Sequence, residues 1–286
     1  MEHMTEDQLT EVVIGRFAET PNPRLKQIME SLVRHLHAFA KDVRLTDEEW
    51  FAGIQFLTKT GHMCDDVRQE FILLSDTLGF SSLIDLINHS DVESMATEPT
   101  ILGPFYVPES PMREFGASMV EYDDGGEPTI MRGVVTDEQG NPIAGAVVDV
   151  WQNAATGFYA VQQPEEQPAT NLRGKYTTDA EGRYEIRTVR PVPYPIPNDG
   201  PVGQSLRATG RHEWRAAHIH AKVSAPGYEP LTTHIFDRRS DYLDSDTVFG
   251  VKDSLIRDFV PGDDGVLVCD CLLYTSPSPR DGLLSR

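Results

Sequence analysis

Apolar residues in the first hundred positions recur every three or four residues. Between Pro23 and Val43 they fall at Leu25, Ile28, Leu32, Leu36 and Phe39, a spacing that predicts one long amphipathic helix begun by Asn22-Pro23. Thr5 followed by Gln8 has the form of a capping box ahead of LTEVVIGRFA. Thr46 and Glu49 form a second box, with Leu45 and Trp50 at the positions of a hydrophobic staple. Two further segments, VRQEFILLSDTLG and SSLIDLINH, also read as helical. The apolar set of this region is too narrow for a complete core, so a partner surface is expected.

From about residue 100 the period changes. MRGVVTDEQGNPIAGAVVDVWQ reads as strand, Gly-Asn-Pro turn and strand, and GKYTTDAEGRYEIRTV repeats the pattern around Asp-Ala-Glu-Gly. HIHAKVSAPG and PLTTHIFD add strands, and no helical pattern intervenes. The predicted class is α+β: an all-helical N-terminal region, 1–100, followed by an antiparallel β-sandwich, 101–268. Beyond Val268 the run CDCLLYTSPSPRDGLLSR has no period, and 269–286 is set apart as a non-native-looking tail outside the fold.

Composition narrows the function. Asp and Glu outnumber Lys and Arg by 45 to 25, a net charge of -20 that repels phosphate backbones and argues against nucleic-acid binding. No apolar run is long enough to span a bilayer, and MEHMTEDQL does not resemble a signal peptide, so no membrane role is expected. Cys64, Cys269 and Cys271 are too few and too irregular for a disulfide framework, which favours a reducing cytoplasm. Cys269 and Cys271 lack the second Cys or His pair that a zinc site needs.

The sharpest chemical signal is His218-Ile219-His220. Residues two apart in a strand share a face, so two imidazoles here can chelate one ion, although such pairs also occur as surface or packing features. No Asp, Glu or usable Cys lies close by in sequence as a third ligand. Tyr159 in TGFYA and Tyr194 in PVPYPIP stand in turn-rich contexts, and the prolines around Tyr194 restrict its direction. A phenol held by a tightly bound cation ionises and becomes a hard donor suited to Fe(III). The same tyrosines could equally be half-buried rings with their hydroxyls in water.

The runs ILGPFYVPESP, AGAVVDVWQNAATGFYA, NLRGKYTTDAEGRYEIRTVRPVPYPIP and GRHEWRAAHIHAKVSAPGY resemble the intradiol ring-cleavage dioxygenases, from the N-terminal helices to about residue 260. The resemblance implies ferric iron held by Tyr159, Tyr194, His218 and His220. It implies an aromatic diol and O2 as substrates, with Tyr194 the ligand that leaves the metal and takes a substrate proton. It implies that Arg215 lies beside the substrate and stabilises negative charge on the ring. Without it, Arg215 reads as a surface residue paired with Glu213. QEFILLSDTLGFSSLIDL, THIFD and YLDSDTVFGVKDSLI are most similar to the hydroxyquinol 1,2-dioxygenase branch, where His234 replaces a glutamine usual in catechol-cleaving relatives.

The expected pocket wall comprises Leu73 and Asp76, three apart on one helix face, and the run Ile101, Leu102, Gly103, Pro104 and Phe105, with Arg215 and His234. Asp76 is expected to accept a hydrogen bond from the third hydroxyl of hydroxyquinol. Its alternative role is to cap the next helix. The resemblance also implies a homodimer through the N-terminal helices with a bound lipid between them. It implies as well a closing strand after residue 270, whose absence would leave an unpaired sheet edge. Competing readings are a catechol or chlorocatechol dioxygenase and, from a different class, a β-sandwich carrier module, which GVVTDEQGNPIAGAVVDVW and TTDAEGRYEI also suggest.

Overall fold

A computed structural model of the chain describes residues 4–65, 68–89, 96–262 and 264–277. The helices are α1 (Glu6–Gly15), α2 (Pro23–Asp42), α3 (Asp47–His62), α4 (Glu70–Thr77), α5 (Phe80–His89) and α6 (Pro201–Ala208). Both expected capping boxes form. Thr5 and Gln8 exchange hydrogen bonds at α1, and Thr46 and Glu49 do so ahead of α3. Asn22 Oδ1 accepts from the N–H groups of Arg24 and Leu25, and Pro23 fills the first turn of α2, where a missing N–H costs nothing.

The chain divides into two compact units, Met1–Lys59 and Thr60–Arg286. In the first, α1 and α2 are tied by Thr10 to His37 (3.0 Å) and by Lys41 to Asp7 (2.6 Å). By its packing α4 belongs with the second unit. Leu73 packs in one apolar cluster with Ile196, Val202, Leu206 and Val248, and the buried Glu70 carboxylate accepts the Val202 N–H at 3.1 Å.

The strands are β1 (Met112–Arg113), β2 (Pro128–Asp137), β3 (Val147–Trp151), β4 (Arg173–Thr177), β5 (Arg183–Val189), β6 (Tyr194–Pro195) and β7 (Trp214–Arg215). They continue with β8 (His218–Ser224), β9 (Leu231–Asp237), β10 (Ile256–Arg257), β11 (Val260–Pro261), β12 (Leu267–Asp270) and β13 (Leu273–Thr275). One sheet runs β1-β4-β3-β8-β9-β10. The other runs β11-β12-β2-β13, with β5 also on β2. The centre of the first sheet is antiparallel as expected, and so are β2–β5 and β11–β12 of the second. In contrast, β12 and β13 join β2 in parallel, as β1 and β10 join the edges of the first sheet.

The core fills the space between the sheets. Val148 and Val150 of β3, Ile219, Ala221 and Val223 of β8, and Ile235 of β9 meet Met131, Val135, Tyr184, Ile186, Leu267, Cys269 and Leu273. Strand alternation sends Trp151, His218, His220, His234 and Phe236 to the other face of the first sheet.

The treatment of 269–286 as a tail outside the fold is corrected. Cys269 and Asp270 end β12, and Leu273–Thr275 pairs with Val135–Asp137 of β2. The edge expected to be unpaired is thus covered, and Cys269, Cys271 and Leu273 are buried. Residues 278–286 lie outside the described residues, as does Val67, the first residue of the expected fourth helix. No described helix is long and apolar enough to cross a membrane.

Candidate metal centre

Three strands and one short β-ribbon place the chemistry. In β8, His218 and His220 project together because they are two apart. The register of β3, β8 and β9 sets Trp151 and His234 on either side of His220. Trp151 stacks on the His220 ring at 4.7 Å and 11°, which fixes the imidazole plane. Tyr194 and Arg215 are direct partners in the β6–β7 ribbon, so the proline-flanked tyrosine and the arginine arrive together. Tyr159 ends the loop after β3, with Phe105 stacked on its ring at 4.5 Å.

The polar atoms converge. His218 Nε2 lies 3.2 Å from His220 Nε2, and His220 Nε2 lies 3.1 Å from the Tyr159 hydroxyl. The Tyr194 ring is 5.4 Å from that of Tyr159 and 5.6 Å from that of His218. All four side chains are buried. The Ala216 carbonyl lies 2.6 Å from His218 Nδ1, so Nδ1 carries the proton and Nε2 presents a lone pair.

Burial, with the adjacent Arg215, holds His218 well below the usual imidazole range. Burial, with His218, does the same to His220. Neutral imidazoles with lone pairs aimed at one point are what a metal ion requires. Burial raises the Tyr159 phenol well above its ordinary value and Tyr194 adds to this, while Arg215 and Arg173 pull it down. In this site a phenolate needs a strong neighbouring cation.

The residues fit a metal. Nitrogens about 2.0–2.1 Å from one ion and 3.2 Å apart subtend roughly 100° at it. His234 extends the cluster: its ring, with those of His218 and His220, can offer nitrogens within 4.8 Å of one another. Neither His234 nitrogen makes a hydrogen bond of ordinary geometry within the protein. Burial, then His220 and His218, keep it neutral, and only the Ile101 carbonyl favours a proton on it.

A small closed pocket adjoins this cluster. Leu73, Asp76, Ile101, Gly103, Pro104 and Phe105 line it with Tyr194 and Arg215, and Ile196, Pro197 and Val248 complete the wall. Leu102 does not line it and is 40% exposed, because the Gly103 turn (φ +75°) directs its neighbours to opposite sides. His234 stands beyond the pocket wall, in the histidine cluster.

Arg215 is buried and pairs with Asp246, not with Glu213, which accepts from Asn198. Burial works against its charge, but Asp246 and the two tyrosines hold it protonated. Asp76 is buried, its carboxyl raised by desolvation, with a Ser81 hydrogen bond and the Arg215 charge opposing. The Ser81 side chain brings it to the start of α5, and it lines the pocket as well. The sequence reading missed Ile196, Val248 and Asp246. Ile196 was signalled by its place two residues after Tyr194, whereas the loop carrying Val248 and Asp246 had no local signature.

Comparison with known proteins agrees with this geometry. Residues 101–274 match the family described as Dioxygenase, and residues 22–95 match Catechol dioxygenase N terminus. The chain is 51% identical to 6-chlorohydroxyquinol 1,2-dioxygenase of Cupriavidus pinatubonensis, covering 97% of this chain and 100% of that protein. It is 49% identical to hydroxyquinol 1,2-dioxygenase of a Rhizobium species, covering 90% and 86%. Among solved structures, hydroxyquinol 1,2-dioxygenase from Pseudomonas putida DLL-E4 superposes with a TM-score of 0.90 at 48% identity, covering 96% of this chain and 99% of the other.

Proposed function

We propose that this chain, which belongs to the intradiol ring-cleavage dioxygenases, opens the ring of hydroxyquinol (benzene-1,2,4-triol) with O2 to give maleylacetate. The observation that carries the reading is the convergence of His218 Nε2, His220 Nε2 and the Tyr159 hydroxyl, with Tyr194 against them. Both atoms of O2 enter the product, so no external reductant is needed. The relatives named for hydroxyquinol and 6-chlorohydroxyquinol support the substrate class.

The family is iron-dependent. Tyr159, Tyr194, His218 and His220 would hold the ion as Fe(3+), the state that two phenolate donors favour. Bound there, ferric iron supplies Lewis-acid activation of the diol toward O2. The remaining chemistry belongs to the chain. Tyr159, buried and stacked against Phe105, is the phenol expected to stay in place. Tyr194, in the two-residue ribbon, would take a proton from a diol hydroxyl at its phenol oxygen. Arg215 holds a fixed positive charge at the dry wall of the pocket, where charge building on the ring is most strongly stabilised.

Asp76 accepts the hydrogen bond of the third hydroxyl, and its place in the pocket favours hydroxyquinol over catechol. Leu73, Ile101 and Val248 provide apolar walls that exclude water. His234, in the histidine cluster beside the pocket, supports a role on the substrate side of the centre.

Leu25, Ile28, Leu32, Leu36 and Phe39 of α2 are 46–58% exposed. This stripe supports a homodimer through the helical segment with a lipid chain against it. Three cysteines outside any disulfide accord with a cytoplasmic location.

The test is O2 uptake by iron-loaded protein on hydroxyquinol, its 6-chloro derivative and catechol. Faster turnover of the triols is expected. Equal or faster catechol cleavage would return the catechol reading, and colourless protein with no uptake would leave the carrier.

A further inference from the structure

We propose that Asp246 is a positioning residue for ring opening: it fixes the Arg215 guanidinium at the wall of the diol pocket. The inference rests on the function proposed above. Asp246 Oδ1 accepts from Arg215 Nε at 3.2 Å, and Oδ2 accepts from Nη2 at 3.4 Å. Both residues are buried. A guanidinium is planar, so holding its Nε/Nη2 edge sets where Nη1 points. That direction is toward His218 Nε2, at 3.1 Å.

The carboxylate is itself held. The Gly250 N–H donates to Asp246 Oδ2 at 2.9 Å. The turn beneath is closed by Phe249 N–H to the Asp246 carbonyl, and Phe249 sits at φ +58° in the left-handed region. A non-glycine residue held there is uncommon and persists where the surroundings enforce it. The surroundings do so residue by residue. Thr247 donates its N–H to Trp214 and accepts from Arg211. Ser82 Oγ donates to the Val248 and Phe249 carbonyls at 3.1 and 3.2 Å. A Cβ on Gly250 would lie 2.9 Å from Arg215 Nη2, so the Gly250 backbone closes one side of the guanidinium.

Asp246 bonds Arg215, whereas Asp76 lines the same pocket as Arg215 and feels its charge, and their division of labour follows. Asp246 neutralises the guanidinium from behind, which leaves Asp76 free for substrate. Without the Asp246 charge, Asp76 is the remaining buried partner for Arg215 and is drawn away from the diol.

The experiment compares Asp246→Asn and Asp246→Glu in the full, iron-loaded chain. Iron content, the visible absorption of the resting protein, thermal stability, kcat and KM are measured. Asp246→Asn is expected to keep its iron and visible band, hold KM within about threefold and lose about 10- to 100-fold in kcat. Asp246→Glu is expected to recover part of that loss. An iron-replete Asp246→Asn variant with kcat within about twofold of wild type overturns the inference. So does joint loss of iron, colour and stability, which marks a structural role. A wild type with no turnover overturns the functional reading and this inference with it. An active wild type matched by Asp246→Asn overturns the inference alone.

Discussion

His218 Nε2 and His220 Nε2 lie 3.2 Å apart although their ring centroids are 4.7 Å apart, so the two imidazoles point inward at a shared position. The Ala216 carbonyl fixes the tautomer of the first, and Trp151 fixes the plane of the second. Replacing either histidine by alanine removes one donor from the site. We expect iron affinity to fall by at least about tenfold, since weaker, indirect supports of metal ligands already cost that much. Metal analysis after dialysis against a chelator measures it.

Tyr159→Phe keeps the stack on Phe105 but deletes the oxygen 3.1 Å from His220. Its buried phenol ionises only beside a cation, so the loss should appear as altered colour and not as unfolding. The expected result is a shifted or bleached visible band in iron-loaded protein at an unchanged melting temperature, with activity down roughly 100-fold or more.

Asp76 is buried with its carboxyl raised, first by desolvation, above an unfolded value of 3.8. The folded state therefore holds the proton more tightly. The stability that this proton contributes is present below the unfolded pKa and is lost as pH rises through the folded one. Asp76→Asn removes the dependence. The variant should melt higher than wild type at neutral pH, with the gap closing as pH falls toward the carboxylate range. Its selectivity for hydroxyquinol over catechol should fall, since a site that no longer recognises the third hydroxyl loses discrimination. Equal kcat/KM losses on both diols would remove Asp76 from substrate recognition.

Gly103 sits at φ +75°, and a Cβ there would approach His220 Cε1 at 3.2 Å. Gly103→Ala combines backbone strain with pressure on a proposed ligand. A loss of about 1–2 kcal/mol is expected, together with weaker iron retention, in thermal melts with and without the metal.

The helices were legible because caps and the i, i+3, i+4 stripe are local. The His218–His220 pair was legible because a strand's period is two. Tyr159 and Tyr194 were not, by spacing: they reach the site through a loop and a two-residue ribbon, and only resemblance to a family joined them to the histidines. Asp246 lies 31 residues from Arg215, and the nearer Glu213 looked a better partner until burial separated them. Leu273–Thr275 was misread because the Ser-Pro pairs just beyond it mask a strand only three residues long, whose evidence is its pairing with β2.

That strand gives a further expectation. Leu273 is buried in the core, the Tyr274 N–H donates to Thr97 Oγ1 at 2.8 Å, and Thr275 Oγ1 donates to the Glu229 carbonyl at 2.7 Å. Leu273→Ala should cost about 2–5 kcal/mol, as large-to-small core changes do, read as a lower melting temperature. An unchanged melt would mean that β13 is dispensable.

The most direct test of the central claim is mass spectrometry of the product formed from hydroxyquinol by iron-loaded protein under heavy-isotope O2. The account predicts maleylacetate carrying both labelled oxygens, one in each carboxylate made by the ring opening. An unlabelled product, or intact hydroxyquinol beside fully folded, iron-replete protein, would contradict it.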